Sequence, residues 1–313
     1  MFKKVIAGDD GRAGGADAVA LARALAPGAE LILATAYPWD TPPSRFLQPG
    51  YGNDLRDDAT RALERRRDEA GVPDARIAAI ADTSPARALH DLAEIEHADL
   101  VVLGTAHHGA LGRMLLGDVG RDVLHGSPCP VAVAPQGFAE GGTGAAARAI
   151  GVAFDHSPEA TRALEVAVGL ARELGARVAL REVVAADILP AIGGYPMVNV
   201  DALTEELRAD AQTRLDAVAA GLGDDVTVTA QAVSGHTADC LEELAGQVDL
   251  LVCGSRGWGA LRSVVLGSTA DRLIHRATCP VLVVPRGAET PKKVFQKAKV
   301  EECPPPARSL STG

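Results

Sequence analysis

Aromatic side chains are scarce in this chain of 313 residues: two tryptophans, three tyrosines and five phenylalanines, 3% in all. Its core must therefore be built from Ala, Val and Leu, and the 47% apolar and 23% charged content reads as globular. Lysine is restricted to the ends, at Lys3, Lys4, Lys292, Lys293, Lys297 and Lys299. With no lysine in the body of the chain and no Gly-x4-Gly-Lys, P-loop and protein-kinase mechanisms lack the cation they place on the phosphates. There is also no Gly-x-Ser-x-Gly and no His-Glu-x2-His. Cys129, Cys240, Cys253, Cys279 and Cys303 form no Cys-x-x-Cys and read as reduced, mostly buried thiols of a cytosolic protein. No membrane-length apolar run or signal peptide is found, so the cytoplasm is the expected location. Thirty-one basic against 41 acidic residues leave a net charge of −10, which argues against a nucleic-acid or anionic-membrane partner.

What is present comes twice. Asp99-Leu-Val-Val-Leu-Gly104 returns 150 residues later as Asp249-Leu-Leu-Val-Cys-Gly254. Both copies run through a helical stretch into Cys-Pro-Val (Cys129 to Val131, Cys279 to Val281) and a short apolar strand ending at Pro135 and Pro285. Such a repeat fixes the domain count at two, each long enough to bury a core. The expected organisation is a first domain over residues 1–136, a Gly/Ala-rich linker over 137–148, a second domain over 149–286 and a polar, proline-rich disordered tail over 287–313.

Within each copy, strand-like runs alternate with helical ones. First strands over Val5 to Gly8 and Ala149 to Phe154 are followed by Asp9-Asp10 and Asp155-His156-Ser157-Pro158. Ser157-Pro158 and Ser84-Pro85 are helix starts: the hydroxyl accepts a free first-turn amide, and proline tolerates the first helical position. Second strands span Glu30 to Ala36 and Arg177 to Val184, and third strands Arg76 to Ala81 and Val226 to Ala232. Long helices are expected over Leu55 to Ala70 and Ala202 to Ala220, and a short one over Ala270 to Arg276. The Val/Ile/Leu runs at Leu100 to Leu103 and Leu250 to Cys253 read as strands buried on both faces, hence an α/β fold with parallel sheets.

The chemistry-bearing pattern lies in the second copy: Gly254-x2-Gly257-x9-Gly267-Ser268. Glycine lets backbone amides approach an anion closely, and Gly267-Ser268-Thr269 opens a helix whose amino terminus favours phosphate. In the first copy Gly104 and Gly117 remain, but His107 replaces Gly257, Asp118 replaces Ser268 and Arg12 replaces Ser157. A carboxylate at a phosphate seat is the decisive change, since two like charges at about 4 Å repel by roughly 4 kcal/mol at an effective dielectric of about 20.

These residues resemble the universal stress protein family in its tandem two-domain form, over about residues 1 to 286. The resemblance implies two flavodoxin-like (Rossmann-like) domains, each a five-stranded parallel sheet in the order 3-2-1-4-5, joined through their fifth strands. It implies ATP, with or without Mg²⁺, as ligand of the second copy. Asp155 would then contact the nucleoside, Val183 would line the adenine pocket, and Gly254, Gly257, Gly267, Ser268 and Thr269 would cradle ribose and phosphates. Arg256 and Arg262 are candidates to reach the phosphates, with plain surface charge the other reading. It leaves open a homodimer of such pseudo-dimeric chains and an unidentified protein partner.

Plainer readings stand beside these. Gly254 and Gly257 also suit a tight strand-to-helix turn, and Asp155 competes with Ser157 to cap the first helix. His107-His108 lacks an acidic partner at metal-binding spacing. With no general base or nucleophile in view, the expected function is a non-enzymatic, nucleotide-dependent sensor in stress response with at most slow ATP hydrolysis. The alternatives are a nucleotide-independent scaffold and, behind it, a small-molecule hydrolase or transferase.

Overall fold

Runs of Val, Leu and Ala without a charge become the innermost strands. β4 (Leu100–Gly104), β5 (Val131–Ala134), β9 (Leu250–Gly254) and β10 (Val281–Val284) are buried along almost their whole length. The computed structural model describes residues 1–38, 51–105, 117–141, 147–185, 200–255 and 268–285. Among these, the first domain adds β1 (Lys4–Gly8), α1 (Ala13–Leu25), β2 (Glu30–Tyr37), α2 (Tyr51–Glu69), β3 (Arg76–Ala81), α3 (Pro85–Glu96) and α4 (Asp118–Leu124). The second adds β6 (Ala149–Ala153), α5 (Pro158–Leu174), β7 (Arg177–Ala185), α6 (Val200–Ala220), β8 (Val228–Gly235), α7 (Thr237–Ala245) and α8 (Ser268–Arg276).

The ten strands form one sheet in the order β3-β2-β1-β4-β5-β10-β9-β6-β7-β8. Each half has the expected 3-2-1-4-5 order with parallel neighbours, and the halves meet where β5 and β10 run antiparallel, with Ala132 opposite Leu282. Helices cover both faces, as a parallel sheet requires. One face buries Leu21 and Leu25 of α1, Leu63 of α2, Leu164 and Leu170 of α5 and Leu215 of α6. The other buries Leu89 of α3, Leu124 of α4, Leu241 and Leu244 of α7 and Leu273 and Ile274 of α8. Both clusters draw residues from both halves, so the two cores are continuous across the β5–β10 seam.

Local chemistry fixes the entry points. Ser157 and Ser84 cap α5 and α3, accepting the amides of Ala160 at 3.1 Å and Arg87 at 3.3 Å. Asp99 Oδ2 accepts the amides of Lys3 and Lys4, and Asp249 Oδ2 those of Arg148 and Ala149, all at 2.8 or 2.9 Å. The aspartate that opens each repeat thus pins the start of one strand to the start of its neighbour. The stretch between the halves begins as a turn on Asp17, whose buried carboxylate accepts the amides of Gly137 and Ala139. Residues 142–146 and 286–313, the latter including the expected tail at 287–313, lie outside the described residues.

Several element limits differ from the sequence expectation, most of them by one or two residues. α2 starts at Tyr51 rather than Leu55, and α8 at Ser268 rather than Ala270, because neither first turn has an apolar period to mark it. β8 runs from Val228 to Gly235, past the last apolar residue, because its length is set by pairing with β7 out to Ala185 opposite Gly235.

Gly104 and Gly254, each ending its strand, are needed for packing. A Cβ on Gly104 would overlap the carbonyl of Gly14 in α1, and one on Gly254 would lie 2.8 Å from Glu159 Cβ and 2.9 Å from the Glu159 carbonyl carbon. Gly104→Ala and Gly254→Ala should therefore each destabilise the fold by about 1–3 kcal/mol, the usual cost of overpacking. Gly104→Ala should cost more, because its Cβ would overlap a backbone carbonyl outright, whereas that on Gly254 would make contacts just under 3 Å. Chemical denaturation of the two variants checks both the size and the order.

Candidate functional site

In each half the chain winds outward from its first strand through the second and third, then returns to the other side for the fourth and fifth. The reversal lies between β1 and β4, and between β6 and β9. Loops leaving adjacent strands in opposite directions open a crevice at the carboxyl edge, the usual ligand position in such sheets.

In the second half Asp155 follows β6 and Gly254 closes β9, so the two flank that crevice. Val183 lies half-buried on β7, next to β6, and Ser268 and Thr269 form the first turn of α8. Four of the elements carrying expected site residues are thereby brought to one edge. Arg256, Gly257, Arg262 and Gly267 lie outside the described residues. Asp155 is exposed, and its Oδ1 accepts the amide of Ser157 at 3.0 Å. Ser157, not Asp155, caps α5. Among the described residues Asp155 pairs with no cation.

Sequence reasoning missed the residues beneath that turn. His156 adopts φ 61°, the left-handed region, where the first half has Gly11 at φ 77°. Its Nε2–H donates to Glu182 Oε2 at 2.9 Å, and Arg214 of α6 donates to Glu182 Oε1 at 3.0 Å. The His156 ring also meets Phe154 edge-on, with centroids 4.8 Å apart. Arg181, the residue before Glu182 and so on the opposite face of the sheet, is also buried, donating to Gln231 Oε1 at 2.8 Å and to the carbonyl of Cys240 at 3.3 Å. The visible signal was a charged pair, Arg181-Glu182, between the apolar runs Val178 to Leu180 and Val183 to Ala185.

The first half treats the same place differently. Register puts Asp9 where Phe154 stands and Asp10 where Asp155 stands. Asp9 is only 2% exposed and forms an ion pair at 2.7 Å with Arg66 Nε of α2, itself 12% exposed. Arg66 also donates to the carbonyl of Arg12 at 2.6 Å. Arg12, in place of the capping serine, brings its guanidinium within 3.9 Å of Asp10, and the N-cap of α1 carries no side-chain bond. At the head of α4 stands Asp118, where α8 has Ser268; a carboxylate there favours the helix dipole and disfavours an anion. His107 and His108 lie outside the described residues.

Among the described residues three buried thiols offer no nucleophile. Burial pushes Cys129, Cys253 and Cys279 up to about 12, so they stay protonated at neutral pH. Cys253, immediately before Gly254, is therefore part of the packing of β9.

An α/β tandem with the crevice at its carboxyl edge defines a two-domain architecture of the flavodoxin-like class. Comparison with known proteins places it further. The sequence profile of the universal stress protein family matches residues 1–135 and again 147–285, and the chain belongs to that family of stress-response proteins. A universal stress protein of Mycobacterium tuberculosis is 32% identical over 189 residues, a match covering 59% of this chain and 61% of the relative. A universal stress protein of Thermus aquaticus is 38% identical over 137 residues, 42% of this chain and 97% of the relative. The solved universal stress protein of Archaeoglobus fulgidus, 19% identical, superposes with a TM-score of 0.64 over 91% of this chain and 99% of its own, which shows the shared fold.

Removing one partner of a buried ion pair leaves the other charge uncompensated. Arg66→Met should thus destabilise the chain by about 3 kcal/mol in urea denaturation. Adding Asp9→Asn should recover part of that loss, and a double-mutant cycle measures the coupling.

Proposed function

We propose that the second domain binds ATP at the crevice between β6 and β9 and that the first domain does not. The observation that carries this reading is the asymmetry of one shared scaffold. The second half keeps the Gly254-x2-Gly257-x9-Gly267-Ser268 spacing and an exposed Asp155 with no cation partner among the described residues, with Val183 on the adjacent strand. The first half has an aspartate at the head of α4 and guanidinium groups on both of its strand-end carboxylates. In this reading Asp155 and Val183 hold the nucleoside. Gly254, Arg256, Gly257, Gly267, Ser268 and Thr269 receive ribose and phosphates, with or without Mg²⁺.

The protein acts as a cytoplasmic sensor: nucleotide binds one arrangement of the site better than another, and a partner protein reads the population that results. It is not an enzyme at ordinary rates. Among the described residues near the crevice Glu182 and Arg214 are engaged in an ion pair, and no lysine stands in the body of the chain to serve phosphoryl transfer. Among the described residues no helix is long and apolar enough to cross a membrane. A second reading, a nucleotide-independent scaffold, is favoured for the first half alone by the sealed Asp9–Arg66 pair.

Calorimetry of ATP against the full-length chain, with and without Mg²⁺, tests the proposal. One site per chain is expected, lost in Ser268→Asp, with turnover well below the enzyme range of about 1 to 1,000 per second. Two sites would show that the first domain binds despite Asp118. No binding to protein stripped of carried-over nucleotide would leave the scaffold reading.

A further inference from the structure

We propose that His156 is a positioning residue for Asp155, anchored through Glu182 to Arg214 so that α6 sets the strand-end turn of the second domain. The inference rests on the reading that Asp155 contacts the nucleoside, and extends it to how that contact is set and controlled.

Three observations converge on His156. Its backbone is left-handed, a conformation that a side chain disfavours and that persists only where surroundings enforce it. The enforcing contacts are visible: Nε2 on Glu182, and the ring edge against Phe154. Glu182 is an acceptor-only carboxylate, 11% exposed, with its other oxygen taken by Arg214. Both oxygens are thus committed, one to the turn and one to the helix.

The first half shows the same mechanical idea made rigid. There Gly11 takes the left-handed position without strain, and Arg66 of α2 ties the turn directly through Asp9 and the Arg12 carbonyl. Each strand-end turn is therefore fastened to the long helix of its own half. Stiffness separates them, because the Asp9–Arg66 pair is sealed whereas Arg214 is 55% exposed and His156 31% exposed. A water-exposed link can open at little cost. The second half accordingly carries a releasable fastening at the site that keeps its glycine–serine pattern: when α6 withdraws Arg214, the hold on Glu182 and His156 relaxes and Asp155 loses its setting.

His156→Gly gives the discriminating test. Glycine suits φ 61° better than histidine, so if His156 merely shapes the backbone, the variant should match or exceed the unsubstituted chain in every respect. As a positioning residue it should leave the melting temperature unlowered while weakening ATP binding about five- to tenfold, near the worth of one hydrogen bond. The Ser157 amide, which donates to Asp155 Oδ1, gives a readout that needs no nucleotide: its exchange, followed by NMR, should quicken in the variant. Arg214→Met, at an exposed helical position, should fold normally and weaken binding about two- to threefold. If the unsubstituted chain binds ATP while both variants bind it equally well with an unchanged Ser157 amide, this proposal is overturned and the ATP reading stands. If the unsubstituted chain binds no ATP, both fall.

Discussion

Everything else in this molecule is arranged around the antiparallel contact of β5 with β10. Each is only four residues long, Val131–Ala134 and Val281–Val284, and neither carries a polar side chain. Left at the rim of a five-stranded sheet, either would offer unpaired amides and carbonyls beside exposed valines, a template for aggregation. Paired, they become the middle of a ten-stranded sheet, and the strands left at its ends are β3 and β8. Those end strands are built for the position: β3 has exposed residues at both its ends, and β8 alternates through Thr229, Gln231 and Ser234. The seam also explains the continuity of the two hydrophobic clusters, which would otherwise be four. Separating the halves would expose core rather than surface.

That constraint bears on function because it fixes both crevices at the same distance from the seam on a pseudo-symmetric frame. Sequence is then free to diverge at the edge while the frame persists. Gly104 and Gly254 illustrate the division of labour. Both remain glycine because α1 and α5 press on the ends of β4 and β9, a requirement independent of any ligand. Conservation of these two between the halves therefore says nothing of binding. Asp118 against Ser268 is the difference on which the proposed function rests, Asp118 being exposed at the head of α4.

The interior strands were legible because Leu100 to Leu103, Leu250 to Cys253 and their partners are unbroken apolar runs that only a doubly covered parallel sheet accommodates, whereas the strand order came from the family resemblance. The helix starts at Ser84-Pro85 and Ser157-Pro158 were legible because capping is a local interaction. What escaped were pairings across long separations. Asp9 and Arg66 stand 57 residues apart, and Glu182 lies 26 residues from His156 and 32 from Arg214. No periodicity relates such residues; only the sheet order brings them together. Strand β8 escaped at its carboxyl end for a related reason, since its partner rather than its own composition decides where it stops.

The asymmetry of the two halves follows from where each places one buried carboxylate. Burying a carboxylate without a cation is costly, so each half supplies an arginine from its long helix. In the first half the carboxylate is Asp9, in the strand-end turn itself, and the answering Arg66 therefore enters the turn and closes it. In the second half the carboxylate has moved to Glu182 on the neighbouring strand, and the vacated turn position is taken by Phe154. Arg214 then stops one strand short, and histidine spans the remaining distance. The strand-end turn stays fastened without a guanidinium in it, and Asp155 keeps its charge facing outward. A single relocation of negative charge by one strand thus converts a sealed structural corner into an open one, with the fold unchanged around it.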